Sequence, residues 1–163
     1  MNNRRDFFKK IVPIKEEKSL TLFPPYYKNI IDFDNCLECD GICANVCEEE
    51  IIKIVDKKPV LDFSKRGCTF CDECAKVCPK DVLKIENKKD IDAIMSIDMI
   101  KCLAWNKTLC SFCLDVCDER AIKFLGLLRP EIITDLCTGC GFCVGVCPTD
   151  AIKIMGREID EKS

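Results

Sequence analysis

The chain has 163 residues, of which 16 are cysteine and none is histidine, and its formal net charge is -3. Without histidine there is no Ser/His/Asp triad, no Cys/His pair and no His-ligated zinc, which removes most hydrolase chemistry, so no catalytic residue is expected. The 48% hydrophobic fraction counts the cysteines. If they hold a cofactor, the apolar residues left for a core fall to roughly 38%, so disulfides or metal must supply stability that side-chain packing does not.

Residues 1–28 read as a basic amino-terminal arm, with seven Lys and Arg against three Asp and Glu, a net of +4; the remaining residues carry -7. Arg4, Arg5, Asp6, Phe7 and Phe8 resemble a twin-arginine export motif. An apolar stretch of about 7 to 15 residues should follow such a motif. Instead Pro13 and the run Lys15, Glu16, Glu17, Lys18 interrupt it. The expectation is therefore a cytoplasmic protein with reduced thiols, no membrane span, and an arm that serves interaction instead of export. The acidic body argues against nucleic acid as a partner.

The cysteines form four sets of four: Cys36, Cys39, Cys43, Cys47; Cys68, Cys71, Cys74, Cys78; Cys102, Cys110, Cys113, Cys117; and Cys137, Cys140, Cys143, Cys147. The second and fourth are C-x2-C-x2-C-x3-C-P, ending at Pro79 and Pro148, the bacterial ferredoxin run that binds [4Fe-4S] clusters. Three thiolates three residues apart wrap three irons of a cube, while the fourth turns away to a neighbouring cluster. Zinc sites of four thiolates more often use two separated C-x2-C knuckles. The first set has one extra residue before Cys43, which Gly41 can absorb. In the third set LAWNKTL separates Cys102 from Cys110, so a small loop should bulge there.

The segments between the sets read as short strands: NIIDF, IIKIV, PVLDF and VLKI in the first half, IMSID, AIKF, EIITD and AIKI in the second. CEEEIIKI from Cys47 aligns with CDERAIKF from Cys117 at an offset of 70, and the two regular sets align at 69. The expected fold is α+β, two tandem two-cluster ferredoxin-like domains over 29–88 and 90–156, joined near Glu86 to Asp90, with a tail at 157–163. Sequential crossed pairing gives four [4Fe-4S] sites: Cys36, Cys39, Cys43 with Cys78; Cys68, Cys71, Cys74 with Cys47; Cys102, Cys110, Cys113 with Cys147; and Cys137, Cys140, Cys143 with Cys117. A nested arrangement, pairing set one with set four and set two with set three, uses the same sixteen ligands; the repeat favours the sequential form. Phe70, Phe112 and Phe142 each precede a cysteine and are expected to pack against clusters, as is Trp105 in the wide loop. Lys107, Arg120 and the run Glu48 to Glu50 read as solvated charges.

With the arginine pair, the Pro24-Pro25-Tyr26 stretch, CLAWNKTLCSFCLDVC and LCTGCGFCVGVCPTDAI in place, the chain resembles the NapF-type ferredoxin-like proteins that accompany periplasmic nitrate reductases in bacteria. The resemblance implies a cytoplasmic iron-sulfur accessory protein that contacts the nitrate reductase catalytic subunit, for its maturation or its electron supply. Two other roles stay open: an electron-transfer subunit of another multisubunit oxidoreductase, and a maturation chaperone whose clusters are structural.

Overall fold

The computed structural model describes residues 21–156. Most of the arm, including the arginine pair, and the tail lie outside the described residues. Six strands form three antiparallel pairs. In the first half β1 (Ile52–Val55) pairs with β2 (Lys58–Leu61). Asp56 and Lys57 between them both have positive φ, which matches the right-handed twist of a two-residue hairpin. In the second half β4 (Ile122–Leu125) pairs with β5 (Leu128–Ile132) around Gly126 at φ 72°. Pro59 and Pro130 stand at matching places in the two hairpins, opposite Ile54 and Phe124, and both are fully buried. A two-stranded ribbon has only edges, so neither proline removes a needed donor.

The outer strands differ between the halves. β3 (Ala93–Ile97) and β6 (Ile152–Gly156) pair from Ala93 opposite Gly156 to Ile97 opposite Ile152, closing the second half. The first half has no such pair. The expected strand NIIDF lies instead in a 3-10 helix, Ile30–Glu38, and VLKI after Cys78 leads into a 3-10 turn, Ile85–Asn87. Phe33 and Cys36 are the buried residues of the longer helix, and their spacing of three is the 3-10 period. Val82 and Leu83 are buried side by side, which an alternating strand does not allow.

Residues 22–27 fill the position those strands would occupy. Tyr26 is 1% exposed, and Pro24 and Pro25 are fully buried. Leu61 N–H donates to the Leu22 carbonyl at 2.8 Å and Lys84 N–H to that of Tyr26 at 2.8 Å. Phe23 stacks on Phe33 with ring centroids 4.3 Å apart, and Tyr27 leans on the same ring at 5.1 Å. The Tyr26 hydroxyl donates to Asp72 at 2.9 Å and that of Tyr27 to Asp92 at 2.6 Å. Burial and these carboxylates push both phenol pKa values far up, so the rings stay neutral donors. The carboxyl end of the arm is thus part of the first half's core, and it also ties that core to Asp92 in the second half.

The charged stretch between the halves is pinned: Lys88 reaches Asp72 at 3.0 Å, and Lys89 N–H donates to the Pro25 carbonyl at 3.0 Å. The two cores are unequal. The first contains Tyr26, Tyr27, Phe33, Phe63 and a set of aliphatic side chains, and takes in Ile91 and Ala93 from the second half. The second has a separate core of Cys102, Ala104 and Ala151, with Trp105 and Phe124 packed on it.

Candidate iron-sulfur sites

Each cysteine set folds as a loop into a single helical turn. The turns are α1 (Ile42–Asn45), α2 (Glu73–Lys76), α3 (Phe112–Asp115) and α4 (Phe142–Gly145). In three sets the residue before the turn is left-handed: Gly41 at φ 70°, Asp72 at 66° and Gly141 at 83°. This reverses the chain so that the thiols before and after it face one space. The additional residue of the first set falls here, at glycine. The third set enters its turn through Ser111 at φ -128°, whose hydroxyl bonds Asp115 at 3.1 Å.

A second regularity follows each fourth cysteine. Glu50, Asp81, Arg120 and Asp150, each three residues on, all have φ between 49° and 55°. Their N–H groups donate to the carbonyls of Cys47, Cys78, Cys117 and Cys147 at 2.9 to 3.4 Å. The bend turns the next amides back onto sulfur. Leu83 N–H donates to Cys78 Sγ at 3.4 Å, Ala121 to Cys117 Sγ at 3.3 Å and Ala151 to Cys147 Sγ at 3.2 Å. The role of Arg120 is therefore in its backbone; its side chain is exposed. Sequence reasoning missed this turn, whose one signal was that three of the four residues at this offset are acidic.

The thiols gather as crossed quartets. Cys47, Cys68, Cys71 and Cys74 line one cavity, beneath Pro24, Pro25 and Tyr26. Cys117, Cys137, Cys140 and Cys143 line a second, and Cys102, Cys110, Cys113 and Cys147 a third. Cys78 lies close enough to Cys36 and Cys43 to raise the pKa of both, together with Cys39. Among the described residues none of the sixteen is in a disulfide.

Burial, reinforced by the neighbouring thiols, drives several thiol pKa values up, to about 12 at Cys74 and Cys143 and about 11 at Cys43 and Cys113. Burial does the same at Cys68, to about 11. Such a quartet is costly as thiolates unless a cationic group sits among them. Cys147 goes the other way: burial raises it, but the N–H groups of Thr149, Ala151 and Ile152 outweigh that and lower its pKa.

Among the described residues no three Cys, Asp or Glu side chains converge tightly enough to hold a single metal ion. A tetrahedral zinc site needs every sulfur at about 2.3 Å from one point. A cubane takes one thiolate per iron, so four thiols around a shared cavity fit it. The donor set is purely thiol, as iron-sulfur clusters require.

The wide gap of the third set is an ordered loop. The Asn106 side-chain amide lies 2.8 to 3.0 Å from the carbonyls of Met99, Ile100 and Cys102, closing the loop onto its own start. Trp105 donates through Nε1 to the Pro130 carbonyl at 3.1 Å and packs on the core of Cys102, Ala104 and Ala151, with Arg129 near its ring. The aromatic expectation holds less evenly elsewhere. Phe70 packs on the first core beside Cys68 and Cys74, whereas Phe142 lies against Gly67 of the other half. Phe112 borders the third thiol cavity yet is 55% exposed, because it also walls an open apolar depression with Leu109 and Leu127. Lys107 is exposed, as expected of a solvated charge. Glu49 of the acidic run instead meets Arg66 at 3.4 Å.

Among the described residues no helix is long and apolar enough to cross a membrane. Two family models match the chain: a 4Fe-4S dicluster domain over residues 35–82 and a 4Fe-4S binding domain over residues 130–153. Among curated proteins, the ferredoxin-type protein NapF of Escherichia coli K12 is 33% identical over 110 residues, 64% of this chain and 66% of the relative. The same protein of Escherichia coli O157:H7 matches equally. The chain thus spans a little under two thirds of those relatives' length. With the tandem α+β fold and these domains, it is a ferredoxin-like iron-sulfur electron-transfer protein.

Proposed function

We propose that the chain carries four [4Fe-4S] clusters, held by the sixteen cysteines in the sequential crossed sets, and acts as a non-catalytic electron carrier accessory to a nitrate reductase catalytic subunit. The observation that carries the site assignment is the grouping of thiols into quartets that each take three cysteines from one set and the fourth from its neighbour. When bound, the clusters supply one-electron redox chemistry. The chain's own residues supply thiolates, exclude water with Tyr26, Trp105 and the buried prolines, and aim amides at sulfur. Cluster cores with four thiolates each carry about -2, so four add about -8 and leave a strongly anionic body suited to a partner with a basic face.

The similarity to NapF supports the nitrate reductase assignment and a cytoplasmic site of action. Anaerobically purified protein should contain about 16 iron and about 16 labile sulfide per chain. The native catalytic subunit should co-purify with it, in an association that weakens with salt. Zinc without labile sulfide refutes the cluster assignment. A partner complex that forms without electron transfer favours the chaperone role.

Thr149 gives the sites unequal potentials. Its hydroxyl lies 3.8 Å from Cys147 Sγ, and Lys80 occupies the corresponding position of the second set. Hydrogen bonds to cluster sulfur raise the reduction potential. Thr149→Val should lower one of the four midpoint potentials, that of the site containing Cys147, by tens of mV, about 1 kcal/mol of differential hydrogen bonding. A redox titration followed by EPR measures it, and four unchanged potentials count against the assignment of that hydroxyl.

A further inference from the structure

The two halves meet along a seam built from their regular cysteine sets. Cys68 N–H donates to the Cys140 carbonyl at 2.7 Å, a backbone bond directly between a proposed ligand of the second site and one of the fourth. On either side of it the chains approach too closely for side chains. A Cβ on Gly67 would overlap the backbone and ring of Phe142, and a Cβ on Gly145 would overlap the Lys65 carbonyl. The internal repeat shows that this fit is particular to one set. Where the fourth set has Gly139, Gly141 and Gly145, the second has Phe70, Asp72 and Lys76 at the 69-residue offset. At Gly141 and Gly145 the fourth set is stripped of side chains where the first half lies on it, against Phe63 and Lys65, while Gly139 abuts Ile91 and Ala93.

The cysteine-bearing turns follow the same line. Within the first half α1 packs on α2, and within the second α3 packs on α4. Across the seam the Cys68–Cys140 backbone bond joins the second and fourth sets. Each link joins one site to the next: first to second, second to fourth, fourth to third.

We propose that the chain holds its four thiolate sites in a single row, in the order first, second, fourth, third, with the Cys68–Cys140 contact and the Gly67 and Gly145 approaches joining the halves. This rests on the four-cluster reading above. The row leaves the first and third sites at its ends. The two middle sites communicate across the seam.

The order is tested on full-length protein with two clusters at a time. In one variant Cys36, Cys39, Cys110 and Cys113 are changed to Ala, keeping the second and fourth sites. In the other Cys68, Cys71, Cys137 and Cys140 are changed to Ala, keeping the first and third. Both should hold about eight iron per chain, two cubanes. After dithionite reduction, the first variant should show an EPR spectrum split by spin-spin interaction, and the second two non-interacting signals. Coupling in the second and none in the first overturns the order.

Should the multiple replacements prevent folding, Gly145→Leu in the otherwise unchanged chain provides the same test. It should retain about 16 iron, four cubanes, while the reduced spectrum simplifies to that of two separate pairs. An unchanged spectrum at full iron content overturns the row. A wild-type chain that assembles no cubane at all overturns the four-cluster reading as well, which separates the two failures.

Discussion

Stripping the clusters anaerobically with a chelator is expected to unfold the second half of the chain first and more completely than the first half. Its separate core is Cys102, Ala104 and Ala151, with Trp105 and Phe124 partly buried on it. Alanine contributes little apolar area, so most of what fills that space is ligand sulfur and whatever the sulfur binds. The first half buries Tyr26, Tyr27, Phe33 and Phe63, a larger apolar set than the second half's Ile122, Ile152 and Pro130. Metal binding free energy in such small domains is folding free energy. Amide exchange should accelerate across β4 and β5 well before it does so in residues 22–36, with far-UV circular dichroism falling in parallel. Equal loss in both halves, or none, would show that the aromatic core does not stand apart from the clusters.

Alkali should destabilise what structure the cluster-free chain retains. In the first half, which keeps more of its structure without clusters, the Cys74 thiol is pushed up to about 12 when folded, whereas unfolded cysteine ionises near 8.5. The folded state then holds more protons than the unfolded one between these values, so stability falls as pH rises. The contribution is complete below about pH 8.5 and is lost progressively toward pH 12. Denaturant titrations of the metal-free protein at pH 7 and pH 10.5 should show the lower midpoint at pH 10.5.

How far the sequence reveals this structure depends on whether a feature is local. The thiol spacing made the four cysteine loops legible, because closely spaced cysteines stay on one loop and turn. The strands after the first and third sets, though not their pairing into hairpins, were legible in IIKIV and AIKF. The first half's terminal strands were not. NIIDF offers strand-forming residues, but Leu22 to Tyr27 occupies the neighbouring space, and Phe33 with Cys36 then turns inward at a period of three. The arm looked separate because it was judged by its charge, while Pro24, Pro25 and Tyr26 at its carboxyl end are among the most buried side chains of the molecule. The amides aimed at sulfur were hidden because Glu50, Asp81, Arg120 and Asp150, three acidic and one basic, share a backbone conformation that their side chains do not announce. The seam between the halves depends on tertiary approach, and its glycines read locally as ordinary loop residues.

The second large effect concerns Cys78, which lies in the second set but neighbours Cys36 and Cys43 of the first. Cys78→Ala should damage the first site, leaving about 12 iron per chain, or about 15 where a three-iron remnant survives. It also leaves the Leu83 amide without its sulfur acceptor. Cys47→Ala should do the reverse, removing a wall of the cavity it shares with Cys68, Cys71 and Cys74. Iron content alone does not say which site is lost, but a double replacement does. If Cys36 and Cys78 serve one cluster, Cys36→Ala with Cys78→Ala removes that cluster once, and iron stays near 12. If pairing is nested, Cys36 and Cys78 belong to different clusters and the double variant falls toward 8, two cubanes lost. A parallel pair, Cys36→Ala with Cys147→Ala, inverts the expectation: two clusters lost under sequential crossed pairing, one under nested pairing. Iron near 12 in the first double variant and near 8 in the second is the result that crossed pairing requires.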